Sequence, residues 1–249
     1  MSINGPEEMI GMRAAGTIVR SILDAMKSAV RPGITTAELD EVGARVMRRH
    51  GANSAPAKVY GFPGINLISV NDEAVHGVPG NRKLEDGDLV KLDVTIEKDG
   101  FMADAAVSVP VGEVSEERRR LIQCAESAFT KAMLVARAGF RVFEIGRAVE
   151  REVRRYGFSV IRELGGHGIG RTIHEEPHVP NYPDPLARSI LTEGLVITVE
   201  PIIAAGSART RMASDGWTVV TVDQRPAAHY EQTIVITKGR PILLTAAAP

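Results

Sequence analysis

Apolar positions early in the chain recur at helical spacing, among them Met9, Ile10, Met12, Ile18, Val19, Ile22 and Leu23. This predicts an amphipathic helix from Pro6 to Val30. A second helix is predicted after Thr35, whose hydroxyl can cap the start while Glu38 reaches back to complete a capping box. That helix ends at His50-Gly51, where glycine readily takes the left-handed turn that closes a helix.

The second of these segments occurs twice. RPGITTAELDEVGARVMRRHG (residues 31–51) aligns without gaps on RAGFRVFEIGRAVEREVRRYG (residues 137–157), pairing Gly33 with Gly139, Glu38 with Glu144, Arg48 with Arg154 and Gly51 with Gly157. Two arginine-rich amphipathic helices can look alike by chance. Glycines matching at both ends of the helix favour an internal duplication instead, with too few copies for a solenoid. Short β-branched runs bounded by Gly, Pro, Asn and Asp predict strands near Ile65–Val70, Asp88–Glu97, Phe101–Pro110, Leu195–Ile203, Thr218–Val222 and Gln232–Ile236. No stretch reads as a linker. The expectation is a single α+β domain over residues 1–249, with pseudo-equivalent halves of about 1–115 and 116–249. A central, mostly antiparallel sheet would carry its helices outside.

Composition adds limits. A chain of 249 residues, 44% hydrophobic and 24% charged, can bury a sizeable core, and its net charge of −1 gives no reason to expect DNA. The polar, acidic start from Met1 to Glu8 lacks the order of a signal peptide, and no apolar run is long enough to span a membrane. Cys124 has no second cysteine to pair with. Together these features place the expected compartment in the reducing cytoplasm. Glu116 to Arg120 is a charge run best taken as a solvated helix face.

The chemistry begins where carboxylates interrupt apolar strands. Lys98-Asp99-Gly100 is a turn signal between two strand-like runs. Folding the hairpin about Lys98-Asp99 sets Asp93 directly opposite Asp104, with Cβ atoms about 5 Å apart, where like charges destabilise. Either both face water on an edge hairpin, or a cation lies between them; the apolar neighbours favour the cation. Glu200 interrupts Leu195–Val199 and Pro201–Ala205 in the same way, and an isolated buried carboxylate would be costly. Glu231 opens the run Gln232–Ile236 and is a weaker case, since strand ends are often wet. His167, in Gly165-Gly166-His167-Gly168-Ile169-Gly170, has glycine neighbours that permit close backbone approach. A phosphate loop is the rival reading there, but no clear helix follows. Four carboxylates and one neutral imidazole would balance two divalent cations. Oxygen and nitrogen donors without sulfur suit Mn, Fe(II), Co or Zn, and paired cations of this kind hydrolyse amides by activating a shared water.

His174-Glu175-Glu176-Pro177-His178 formally matches the H-E-x-x-H zinc pattern. That pattern requires a helix, and Pro177 and Pro180 prevent one. His174 is therefore expected on a loop, free to touch substrate.

The segments LDVTIEKDGFMAD, GGHGIGRTIHEEP, ITVEPII and HYEQTIVIT resemble, in order and spacing, the signatures of type I methionine aminopeptidases; SVNDEAVHGVP and SDGWTVVT resemble two further family segments. The resemblance spans nearly the whole chain. It implies the pseudo-two-fold pita-bread fold and removal of the N-terminal methionine of nascent polypeptides. It also implies metal ligation by Asp93, Asp104, His167, Glu200 and Glu231, with Asp104 and Glu231 bridging. By the same resemblance Glu200 takes a proton from the bridging water. His174 bonds the scissile amide, and His76 contacts substrate and helps protonate the leaving amine. The family positions of a methionine pocket fall on Val59, Tyr60, Phe62, Leu67, Ile173 and Trp217, although the residues by themselves favour ordinary core, since packed aromatics are common. The resemblance implies a monomer and raises transient ribosome contact, for which no stretch of this sequence argues. Departures are Val75 where many relatives have cysteine, Gln232 where many have histidine, and Gly64-Ile65-Asn66 in place of a Lys/Ser-containing segment.

Two alternatives share parts of this pattern. An X-Pro aminopeptidase or prolidase relative has the same fold, but usually with an extra N-terminal domain for which this sequence shows no residues. A catalytically silent pita-bread binding module should lack the ligand set, whereas all five candidates are present.

Overall fold

A computed structural model of the protein describes residues 1–246. Helices α1 (Pro6–Ala29) and α2 (Thr36–Arg49) lead into strand β1 (Asn53–Ser54) and a short helix α3 (Ala55–Tyr60) that the sequence pattern did not signal. Strands β2 (Leu67–Val70) and β3 (Glu73–Val75) follow, then a long hairpin of β4 (Leu89–Lys98) and β5 (Phe101–Pro110). A second helical pair, α4 (Glu116–Ala132) and α5 (Val142–Tyr156), precedes β6 (Ser159–Val160), β7 (Gly165–Gly168), β8 (Glu175–Pro180) and β9 (Val196–Val199). The chain continues through β10 (Ile202–Ala204), β11 (Thr210–Met212), β12 (Val219–Thr221), β13 (Ala227–His229), β14 (Glu231–Val235) and β15 (Ile242–Leu243). No helix among the described residues is long and apolar enough to cross a membrane.

The two aligned segments make the same bonds. Gly33 N–H donates to the Leu84 carbonyl at 2.7 Å, and Gly139 N–H donates to that of Leu191 at 2.9 Å. Leu84 and Leu191 return the bond to Ile34 and Phe140, both at 2.8 Å. All four paired glycines have positive φ: 86° and 91° at Gly33 and Gly139, 60° and 82° at Gly51 and Gly157. A Cβ at any of these would strain the turn. The starts of the helices differ. Thr35 and Glu38 form the capping box on α2, whereas Arg141 provides no side-chain cap to α5.

The central sheet has nine strands in the order β1-β4-β5-β14-β9-β7-β8, with β15 added on β14 and β2 on β4, and every recorded pairing is antiparallel. Helices α1 and α2 bury Met12, Ile22, Met26 and Leu39 in one apolar cluster with Leu92, Val94 and Ala103 of the long hairpin. Helices α4 and α5 bury Leu121, Phe129, Ile145 and Val149 with Ile197, Val199 and Ile234. Cys124 lies buried in this second cluster, and burial pushes its thiol up to about 12.

Two expectations are corrected here. The hairpin turns on Asp99 and Gly100, both left-handed at φ 51° and 80°, because a two-residue turn of this kind favours Asp-Gly over Lys-Asp. Asp93 therefore pairs with Ala106 and Asp104 with Thr95. The partner moves by two residues, so Asp93 and Asp104 remain on one face as diagonal neighbours rather than opposite each other. The expected strand from Leu195 to Ile203 is in fact two: Glu200-Pro201 breaks it, β9 stays in the central sheet, and β10 joins a separate sheet of order β13-β10-β6.

Close packing of α5 on the 180–182 backbone makes one position unforgiving. A Cβ at Gly146 would sit 2.1 Å from the Tyr182 carbonyl oxygen. Gly146→Ala should lower unfolding stability by about 1–3 kcal/mol, seen as a lower urea midpoint at unchanged slope. An unaltered midpoint would contradict the contact.

Candidate metal centre

Strand register gathers the acidic residues. Glu231 on β14 pairs with Ala106 on β5, which in turn pairs with Asp93 on β4. Asp104 lies one pleat further along β5, its N–H donating to Thr233 Oγ1 at 2.9 Å while that hydroxyl donates to the Asp104 carbonyl at 2.7 Å. On the other side of β14, Gln232 pairs with Val199, so Glu200, just beyond the end of β9, comes level with Glu231. His167 enters from β7. Its N–H donates to Thr198 Oγ1 at 3.1 Å, and that hydroxyl donates to Glu200 Oε2 at 2.9 Å. One hydroxyl thereby fixes both groups, and His167 Nε2 stands 3.7 Å from Glu200 Oε2.

The glycines around His167 admit this approach. A Cβ at Gly166 would lie 2.4 Å from the Thr198 carbonyl, and one at Gly168 would lie 2.2 Å from that of Glu176. His167 Nδ1 is 2.9 Å from the Gly168 carbonyl. A carbonyl only accepts, so Nδ1 carries the proton and the Nε2 lone pair points into the cluster.

The electrostatics are severe. Burial, then the neighbouring Asp104 and Glu200, raise Asp93 well above the ordinary carboxylate range. Burial and Glu231 do the same to Glu200, and burial with Asp104 and Asp93 to Glu231. Burial raises Asp104 to about 6. Burial lowers His167 to about 4, which leaves the imidazole neutral at pH 7. Asp93 Oδ1, Asp104 Oδ1 and Glu231 Oε1 are buried without a hydrogen-bond partner, each an omission of about 1–3 kcal/mol. Two trios of ligand atoms, Asp104–His167–Glu231 and Asp93–His229–Glu231, each lie within 4.8 Å of one another and share Glu231. Crowded, desolvated anions beside unpaired oxygen and nitrogen donors fit divalent cations, which would relieve the repulsion and give those donors a partner.

A cavity of about 210 Å³ opens beside the cluster, larger than a cavity of about 150 Å³ that admits benzene. Tyr60, Phe62, Leu67, Ile173 and Trp217 line it together with His76 and His174. Phe62 and Trp217 meet edge to face at 5.3 Å between centroids. Val59 is exposed and does not line this space. His174 Nδ1 is 2.6 Å from the Tyr60 hydroxyl, and its ring is 4.3 Å from that of His167. His76 and His174 are exposed residues at the edge of this cavity. Surrounding protein still lowers both imidazoles, His76 to about 4. Residues 175–180 form β8 rather than a helix, so the H-E-x-x-H pattern brings no zinc-protease site.

Sequence reasoning missed His229, Thr198 and Thr233. Thr198 and Thr233 face each other across β9 and β14, and nothing in their runs marks them as supports of a site. His229 carried a readable signal. It precedes Glu231 by two positions in the apolar stretch Ala227–Glu231, and alternation puts the two on one side of an extended chain.

Comparison with known proteins agrees with this arrangement. Residues 10–238 match metallopeptidase family M24. The chain is 46% identical over 247 residues to methionine aminopeptidase 2 of Bacillus subtilis strain 168, covering 98% of this chain and 99% of that protein. The crystal structure of methionine aminopeptidase from Rickettsia prowazekii superposes with a TM-score of 0.94 at 36% identity, covering 99% of this chain and all of that one (100%). Prolidase from Pyrococcus furiosus shares the fold at a TM-score of 0.77 and 22% identity, and the match spans 66% of that longer chain. A buried acidic cluster on a pita-bread sheet, matched over nearly its whole length, makes this chain a member of metallopeptidase family M24.

Proposed function

We propose that this enzyme removes the N-terminal methionine from peptides and nascent proteins at a centre of two divalent cations. The observation that carries this reading is the set of unpartnered carboxylate oxygens of Asp93, Asp104 and Glu231 beside an apolar cavity sized for one side chain. Likeness to methionine aminopeptidases, at nearly full length on both sides, supports it over the prolidase reading, where likeness is confined to the fold.

Asp93, Asp104, His167, Glu200 and Glu231 would hold the cations. The donor set suits Mn, Fe(II), Co or Zn. Bound cations would polarise the scissile carbonyl and acidify a water. Glu200 would act as the general base, its carboxylate oriented by the Thr198 hydroxyl. With the Tyr60 hydroxyl as donor to His174 Nδ1, Nε2–H would be free to bond the scissile amide. His76, neutral at pH 7, contacts the substrate and assists proton delivery to the leaving amine. Tyr60, Phe62, Leu67, Ile173 and Trp217 form the slot for an unbranched thioether, with Val59 outside it.

Mass spectrometry of peptide products gives the direct test. A Met-Ala-Ser peptide should lose its methionine, and an X-Pro peptide should stay intact; the reverse outcome would establish the prolidase reading. Asp104→Asn and His167→Ala should each lose roughly 100-fold or more in rate, beyond the 10–100-fold typical when only a support of a metal ligand is lost. Near-normal turnover at matched metal content would refute the assigned ligands.

Thermal denaturation tests the cation requirement. At a cation concentration about 100-fold above Kd, mass action stabilises by about 2.7 kcal/mol per ion, or about 5–10 °C for a chain of this size. The sign of its pH dependence follows from Asp104. This carboxyl keeps its proton to about 6 in the fold but releases it near 3.8 when unfolded, so its ionisation opposes the metal-free fold as pH rises through that window. A cation removes that penalty but must displace the proton. The shift in Tm should shrink as the pH falls through about 6, where Asp104 regains its proton. A shift that grows with acidification would contradict this.

A further inference from the structure

His229 stands apart from the other histidines of the cavity. It is 2% exposed, and neither ring nitrogen has a hydrogen-bond partner. A histidine buried for structural reasons normally spends at least one nitrogen on a carbonyl or carboxylate, as His167 does on Gly168. The His229 backbone is clamped. Its N–H donates to Ser108 Oγ at 2.9 Å, that hydroxyl donates to the His229 carbonyl at 2.9 Å, and the residue pairs with Ile202. The ring projects from this rigid base toward the acidic cluster, with Nε2 3.4 Å from Glu231 Oε2. One ring nitrogen, one Asp93 oxygen and one Glu231 oxygen all fall within 4.8 Å of one another. Cation–ligand bonds of about 2.0–2.2 Å suit atoms so spaced. Asp93 Oδ1 and Glu231 Oε1 are themselves unpartnered.

We propose that His229 is a metal ligand, joining Asp93 and Glu231 at one cation position while His167 serves the other. This inference rests on the dinuclear reading above and goes beyond it, because it gives each ion one nitrogen donor. Gln232 takes no part. Its amide oxygen accepts from Thr245 and its nitrogen donates to the Tyr230 hydroxyl, away from the cluster. A nitrogen donor in place of an all-oxygen set shifts preference from Mn toward Co and Zn.

X-ray absorption fine structure on the wild-type protein loaded with two equivalents of Co(II) reads the inference without a variant. One imidazole per cobalt on average is expected. Isothermal titration with Co(II) and Mn(II) then compares wild type with His229→Gln, which keeps a polar side chain of similar reach. In the variant one cobalt site should weaken at least 10-fold, manganese should weaken less, and the imidazole count should fall to one for every two ions. Two cobalt ions sharing a single imidazole in the wild type would overturn the inference and leave the dinuclear reading standing, as would a variant with unchanged affinity and imidazole count. A wild-type protein that binds no cobalt would overturn both. Should the variant fail to fold, the wild-type imidazole count alone decides.

Discussion

Four carboxyl groups buried within reach of one another impose the constraint on which the rest of this structure depends. Two like charges about 4 Å apart repel by about 4 kcal/mol at an effective dielectric near 20, and Asp93, Asp104, Glu200 and Glu231 crowd together away from bulk water. No flexible loop would hold such a set. Here the backbone positions come from β4, β5, β14 and the end of β9, four adjacent strands of a sheet braced by helices. The stability of the packed layers opposes the electrostatic cost, and the raised carboxyl pKa values register that opposition.

The centre forms where strands leave one sheet for another. Glu200 lies between β9 and β10, which belong to different sheets, and Tyr230 separates β13 from β14 in the same way. At such junctions regular pairing ends, so a side chain can turn into a cavity instead of packing against a neighbouring strand. Proline at 201 and glycines at 166 and 168 serve this geometry: the first ends the ladder, and the others let backbones approach more closely than any Cβ would allow. The walls are then fixed by single hydroxyls. Thr198 orients both Glu200 and the His167 backbone, and Thr233 ties β14 to the Asp104 backbone.

Much of this was legible in the chain because local physics dictates it. The Thr35–Glu38 capping box and the left-handed glycines at Gly33, Gly51, Gly139 and Gly157 are short-range features, and they appear as the pattern requires. An acid in an apolar run is readable for the same reason, since burying it alone is costly. Pairing register was less legible. The hairpin hinges on which two residues accept positive φ, and the choice of Asp99-Gly100 moved Asp93 from opposite Asp104 to its diagonal. The division of Leu195–Ile203 between two sheets is a tertiary fact, because each piece has equally good strand composition. His229 went unread since an imidazole among alanines resembles a satisfied core residue until both nitrogens prove unpartnered.

The account's central claim is that these acids converge to hold cations. Its most direct measurement is anomalous scattering at the manganese edge from crystals soaked in Mn(II). The expected map has two peaks about 3.5–4 Å apart, enclosed by oxygens of Asp93, Asp104, Glu200 and Glu231 and by His167 Nε2. Carboxylates splayed away from one another, with no anomalous density between them, would contradict it.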